Sequence, residues 1–193
     1  MSRTISLTNV IGLIAGLGLI FQIGHFLEHT FQEGIWVFDL SQICGRDKPW
    51  MSPWVTDMVE YFGLLIWPTA DTARRMMLSM ELLHLVGNSI FLISLICLYY
   101  CIPSKWVKWA IYIETFHLYE HIMLTLSAIF VGKPIGLSTL FGGTYYFGPK
   151  EFIVGYRVSW HFVMNLLPMP FAMVGLMQYL NSRRRSSNGI SIS

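Results

Sequence analysis

The sequence has few charged residues, few cysteines and little net charge. Only 12% of its residues are charged, whereas soluble domains carry about 25%. Its three cysteines are too few for a disulfide scaffold. The formal net charge of +2 excludes a nucleic-acid binder, because neutralising a phosphate backbone requires many more Lys and Arg side chains. What remains is an apolar chain, 54% hydrophobic, which we interpret as a small integral membrane protein.

Four apolar stretches are long enough to cross a bilayer as helices, which requires roughly 20 residues each. They lie at about 10–31, 76–102, 106–131 and 152–180. Between the first two, segment 51–68 contains Pro53, Trp54 and Tyr61, which are typical of a helix that lies at the membrane interface. We therefore predict an all-α membrane bundle of four transmembrane helices with an interfacial helix on the outer side, in a single domain over 1–182.

The end of the chain, 183–193, is predicted to form a basic polar tail. It begins with Arg183, Arg184 and Arg185, which directly follow the fourth span. Because cytoplasmic loops are enriched in Lys and Arg, we predict a multi-pass protein with both termini in the cytoplasm. The predicted partners are the lipid bilayer and either a redox partner or other membrane subunits, and no nucleic acid.

All six histidines lie inside the predicted spans, and four glutamates accompany them. An ionisable group at the centre of a span costs about 3 kcal/mol on insertion scales. A set of such groups therefore needs a compensating partner, and a metal ion is the partner that histidines and carboxylates share. The candidate metal ligands are His25, Glu28, His29, Glu81, His84, Glu114, His117, Glu120, His121 and His161.

Helical spacing predicts where these side chains point. At 100° per residue, the polar residues of each span fall on one stripe about 60–120° wide. A polar stripe on an otherwise apolar helix must face the interior of the bundle. Counted from the outer ends at about 1.5 Å per residue, the four stripes meet in the outer to middle part of the bilayer. The sequence thus predicts one common intramembrane site.

The spacing of the candidate ligands indicates a non-haem transition metal. Histidines four residues apart, and the Glu-x-x-His pattern, each place two ligands on one helix face, and in helix bundles this pattern builds dinuclear sites. The ten candidates exceed the coordination number of one ion, so either two ions bind or some of these groups orient the ligands. Iron, copper and zinc all accept imidazole. We predict oxidoreductase chemistry on a small or lipidic substrate.

Other interpretations stay open. One alternative is a b-type cytochrome subunit, because haem iron needs only one histidine from each of two helices. A metal-ion transporter and a purely structural polar network are the remaining alternatives. The His-x-x-x-His spacing at His25 and His29 resembles the first histidine box of membrane fatty-acid hydroxylases and desaturases. The His-x-x-His-His boxes of those enzymes are missing here, and the family is therefore not assigned.

Overall fold

The part of the chain that the structure describes is mostly helical. The computed structural model describes residues 7–38, 40, 50–140 and 150–187, with the side chains of all of these except 150–154 and 186–187. Within these ranges there is no strand, and the predicted all-α class is confirmed. The elements are α1 (Leu7–Val37), α2 (Pro53–Ile66), α3 (Thr72–Cys101), α4 (Lys105–Phe130), a 3-10 turn (Leu137–Thr139), α5 (Lys150–Leu166) and α6 (Pro168–Ser187).

Three stretches among the described residues are long and apolar enough to cross a membrane. They are α1, α3 and the continuous stretch Gly155–Arg185, which joins most of α5 to α6. These stretches correspond to the first, second and fourth predicted spans and indicate a membrane protein. The third predicted span, α4, is not among them. It carries two glutamates and two histidines in its central turns, and these lower its hydropathy.

The ends of the helices follow local chemistry. The Asp71 side chain accepts a hydrogen bond from the backbone N–H of Arg74 and caps the start of α3. Pro168 has no N–H group to continue a helix, so the predicted fourth span consists of two helices that meet at Leu167. Helix α6 extends to Ser187, which places 183–187 of the predicted tail in its last turns. The rest of that tail, 188–193, lies outside the described residues.

Helix α3 is the central element of the bundle. It packs against α1 on one side and α4 on the other, while α2 lies against it; α5 packs on α1 and α6 on α4. The contact between α1 and α3 is close at Gly18, where an added Cβ atom would collide with the side chain of Ser94. A glycine at this position therefore lets the two backbones approach each other.

The two ends of the bundle differ in chemistry. One end, which we call the α2 end, carries α2 and the 3-10 turn. Toward the opposite end, helices α1, α3, α4 and α6 bury an apolar core. It is formed by Ala15, Leu19, Phe91, Leu95, Leu98, Val107, Ala110, Met169 and Ala172. All six histidines lie on the α2 side of this core. The histidines of α1, α3 and α4 lie between the core residues of their own helix and the α2 end, and His161 of α5 precedes the core residues of α6.

Candidate metal centre

Two pairs of histidines lie side by side, each pair on one helix. The Nε2 atoms of His25 and His29 on α1 are 3.3 Å apart, and those of His117 and His121 on α4 are 3.1 Å apart. Because an α-helix has 3.6 residues per turn, side chains four apart share a face. Two nitrogens bound to one tetrahedral ion at about 2.0 Å lie roughly 3.3 Å from each other. Each pair is therefore spaced like two ligands of one ion, which is also the spacing of a hydrogen bond between two imidazoles.

A third histidine joins each pair from a neighbouring helix. His84 of α3 joins His25 and His29, and His161 of α5 joins the pair on α4; within each group, one ligand atom per side chain lies within 4.8 Å of the others. We call these groups the first triad (His25, His29, His84) and the second triad (His117, His121, His161). Neither triad includes a carboxylate or a thiol among the described residues.

The two triads are in contact with each other. The ring of His84 stacks on that of His121, with centroids 5.3 Å apart and planes 8° from parallel. His29 stacks on His161 at 5.8 Å, and His84 also lies 5.6 Å from His161. Four of the six side chains are buried, while those of His25 and His84 are half-buried. The structure thus gathers all six sequence-predicted histidines into one cluster.

Hydrogen bonds orient two of the rings in the first triad. The Nδ1 atom of His29 lies 2.8 Å from Oε1 of Gln32, and Nδ1 of His84 lies 2.7 Å from the carbonyl oxygen of Met80. A carbonyl oxygen can only accept, so these contacts assign the ring hydrogen to Nδ1. The Nε2 atoms then keep their lone pairs and are available as ligands, as in metal sites whose histidines donate their other N–H to a neighbour.

Two of the predicted carboxylates face the α2 end instead of the triads. Glu28 accepts a hydrogen bond from the backbone N–H of Ser52, just before α2, at 2.7 Å. Glu120 accepts one from the backbone N–H of Ser138 and one from the indole N–H of Trp160, both at 2.7 Å. Each glutamate is the central acid of a His-x-x-Glu-His string, and each holds an outer segment in place. No sequence pattern identifies these partners, because two of the donors are backbone groups of distant segments.

Glu81 forms an ion pair with Arg157 of α5. The Glu81 side chain is 1% exposed, whereas that of Arg157 is 25% exposed. The second carboxylate oxygen of Glu81 is buried and has no hydrogen-bond partner among the described residues. Arg157 lies four residues before His161 and therefore on the same helix face. That spacing is the sequence signal that an arginine would accompany the histidines.

Glu114 is buried directly beside the second triad. One of its carboxylate oxygens lies 3.6 Å from Nδ1 of His117, and both side chains are 0% exposed. Neither oxygen of Glu114, nor Nδ1 of His117, has a hydrogen-bond partner within the described part of the chain. An ion bound to Nε2 of His117 would fix the ring hydrogen on Nδ1, where this carboxylate can accept it. The unpartnered atoms thus lie next to each other, and binding of an ion to His117 would give both of them a partner.

A layer of buried amides lies between the triads and the apolar core. Asn88 donates to the carbonyl oxygen of His84 at 2.9 Å, and Asn165 donates to that of His161 at 2.8 Å. Gln22 of α1 in turn donates to Oδ1 of Asn165 at 2.8 Å. All three amide side chains are 0% exposed. The bond from Gln22 to Asn165 links α1 to α5 one turn beyond His161, whereas Asn88 bonds within α3.

Each triad has the donor atoms of a transition-metal site. Each triad offers three neutral nitrogen donors, a set that copper, zinc, iron and nickel accept. Three protein ligands on a tetrahedral ion leave one position open, which is the arrangement of catalytic sites rather than of closed structural ones. If each triad held an ion, the open positions of the two ions would belong to neighbouring triads.

Comparison with known proteins places the chain in a family. No curated protein and no solved structure matches it. One family profile, described as "Family of unknown function (DUF6008)", matches residues 2–191, almost the whole chain. The protein therefore belongs to the DUF6008 family.

Proposed function

We propose that this protein is an integral membrane metalloprotein in which each histidine triad binds one transition-metal ion. The observation that carries the proposal is the pair of three-histidine groups, each with its ligand atoms within 4.8 Å of one another. Four buried and two half-buried histidines in one apolar bundle are expensive without a partner such as a bound ion. The two ions form a non-haem dinuclear centre held by α1, α3, α4 and α5.

In this proposal the chain crosses the membrane four times. The spans are α1, α3, α4 and the α5–α6 stretch, and α2 lies at the outer interface. The side chains of α4 support its role as a span, because its acids and histidines are all buried while the opposite face is exposed and apolar. That exposed face comprises Trp109, Tyr112, Phe116, Tyr119, Ile122, Met123, Leu126 and Ile129. Such a distribution suits a helix that turns its polar side inward and its other side to lipid.

The cytoplasmic side is assigned to the end opposite α2. Lys105 and Lys108 begin α4 at that end, and Arg184 and Arg185 lie in the last turn of α6 at the same end. A cluster of basic residues next to span ends favours the cytoplasm. Both termini are then cytoplasmic, and the metal centre lies nearer to the outer surface.

The proposed activity is oxidoreductase chemistry on a small or lipidic substrate. Iron and copper change oxidation state, whereas zinc does not, so one of these two metals fits the activity. An open coordination position on each ion gives a substrate access to the metal. Electrons would come from a redox partner or from another membrane subunit. The apolar outer surface of the bundle gives a lipidic substrate a route from the bilayer.

Haem binding and metal transport are less consistent with the geometry. Two axial nitrogens of one haem lie on opposite sides of the macrocycle, whereas the closest nitrogens here are neighbours on one helix, 3.1 Å and 3.3 Å apart. A transporter needs a polar path to both sides of the membrane. Here the apolar core lies between the histidines and the end opposite α2. Metal uptake into proteoliposomes that depends on His161 would favour the transporter instead.

Metal analysis of the purified protein tests the proposal. We expect two iron or copper ions per chain in detergent and an absorption spectrum without the Soret band of haem. His121→Ala removes one ligand of the second triad and should reduce the content to at most one ion per chain. Thr125→Val is the matched control, because Thr125 is buried one turn further along α4 and donates to the carbonyl oxygen of Glu81. Equal metal content in wild type and His121→Ala would overturn the proposal.

A further inference from the structure

The six histidines provide no negative charge to the ions they would hold. Imidazole is neutral when it binds a metal, and neither triad includes a carboxylate. Three of the nearby acids are engaged elsewhere: Glu28 with Ser52, Glu120 with Ser138 and Trp160, and Glu81 with Arg157. The fourth, Glu114, lies beside His117 and supplies at most one negative charge. Two divalent ions would therefore still bring a net positive charge into a buried cluster. Burying charge is costly unless an opposite charge accompanies it.

The ions that the two triads would hold lie next to each other. His84 of the first triad stacks on His121 of the second at 5.3 Å, and His29 stacks on His161 at 5.8 Å. Because rings from the two triads touch, the ions they hold are neighbours. Dinuclear sites place their metals about 3.5–4 Å apart, a separation that a single bridging group spans.

Burial limits the size of that ligand. His117 and His121 are 0% exposed, and His29 and His161 are 2% and 5% exposed. The half-buried rings of His25 and His84 leave the first triad as the more accessible side. A small ion needs less room between these side chains than a phosphate group does.

We propose that the two triads together bind one small inorganic anion, of one to three heavy atoms, as a bridge between their ions. This inference rests on the proposed dinuclear centre and names the class of ligand that the centre takes. Hydroxide and halide ions belong to this class, and azide is the spectroscopic probe for it. The bridge supplies negative charge that the histidines lack and takes the fourth position of both ions in the resting protein. The substrate of the proposed reaction would displace it to reach a metal.

Azide titration of the copper-loaded protein tests the inference. The full-length chain in detergent is loaded with Cu(II) to two ions per chain, and the azide-to-copper charge-transfer absorption is followed. We expect saturation at one azide per two copper ions and no response to phosphate at the same concentration. Saturation at two azides per chain, or no azide binding to a protein that holds two ions, would overturn the bridge and leave the dinuclear centre standing. A chain that binds no metal would overturn the centre itself.

Variants that retain one ion separate a bridge from a terminal ligand. His161→Ala disrupts the second triad and leaves the first, and His84→Ala does the reverse, so either variant suffices if the other fails to fold. A bridging anion loses one of its two metal contacts in these variants, and we expect azide affinity to fall at least 10-fold. Unchanged affinity in a one-ion variant would overturn the bridge. Glu114→Gln tests whether the carboxylate of Glu114 is itself the bridge. If it were, this variant would bind azide and the wild type would not.

Discussion

Replacing Glu114 with methionine should stabilise the metal-free protein and weaken metal binding. Glu114 is buried with both carboxylate oxygens unpartnered among the described residues, and one of them lies 3.6 Å from Nδ1 of His117. Methionine has a similar volume and no group that requires a hydrogen bond. The substitution therefore removes an unsatisfied polar group from the metal-free bundle, together with the acceptor that orients His117 when an ion is bound.

The two effects have opposite signs and measurable sizes. An unsatisfied buried polar group costs about 1–3 kcal/mol, so the free energy of unfolding of metal-free Glu114→Met should rise by about this amount. Loss of a group that orients a metal ligand lowers metal affinity by about 10–100-fold, which corresponds to about 1.4–2.8 kcal/mol of binding free energy. Glu114→Gln keeps an acceptor oxygen near His117 and should lose less than the methionine variant.

The assay combines denaturation of the metal-free protein in detergent with metal competition against a chelator. Glu120→Met is the matched control, since Glu120 is also a buried glutamate of α4 but has its oxygens bonded to Ser138 and Trp160. That variant leaves two donors unpaired and should lower the free energy of unfolding by about 2–6 kcal/mol. If Glu114→Met destabilises the metal-free protein and leaves metal affinity unchanged, the proposed role of Glu114 is wrong.

Two further predictions concern the architecture around the centre. Glu28→Met removes the acceptor for the N–H of Ser52 and should loosen α2, which limited proteolysis between α2 and α3 would detect as faster cleavage than in wild type; equal cleavage rates would contradict the anchoring role. Gly18→Val places a side chain against Ser94 and should lower the free energy of unfolding by about 1–3 kcal/mol. Gly16→Ala is its control, because an added Cβ at Gly16 meets nothing within 4 Å. This variant should keep the stability of the wild type or gain up to about 1 kcal/mol from the higher helix propensity of alanine.

The gathering of the histidines could be predicted from the sequence because the membrane environment restricts where they can point. His25 and His29 are four residues apart, as are His117 and His121, and spacing alone places each pair on one helix face. A polar face on an apolar helix must turn inward. The depth of each pair then follows from counting residues along the helix. The spacing of the histidines and the apolar membrane environment together thus indicate a cluster, even when the packing of the helices is not known.

The division into two triads could not be predicted in this way. Which pair receives His84 and which receives His161 depends on the rotation of α3 and α5 about their axes and on their neighbours in the bundle. The roles of the glutamates were hidden for a related reason. Glu28 and Glu120 bond to backbone N–H groups of Ser52 and Ser138, and only the folded chain brings those segments to the helices.

The apolar core determines from which side of the membrane protons and other ions can reach the centre. Between the histidines and the cytoplasmic end of the proposed topology, the bundle is filled by side chains such as Leu95, Leu98 and Val107, each 0% exposed. A proton or another ion crosses such a region only at high cost. Protons consumed or released during turnover would therefore be exchanged with the outer compartment alone. If the electrons came from a cytoplasmic donor, each turnover would move charge across the bilayer, and its rate would then depend on the membrane potential.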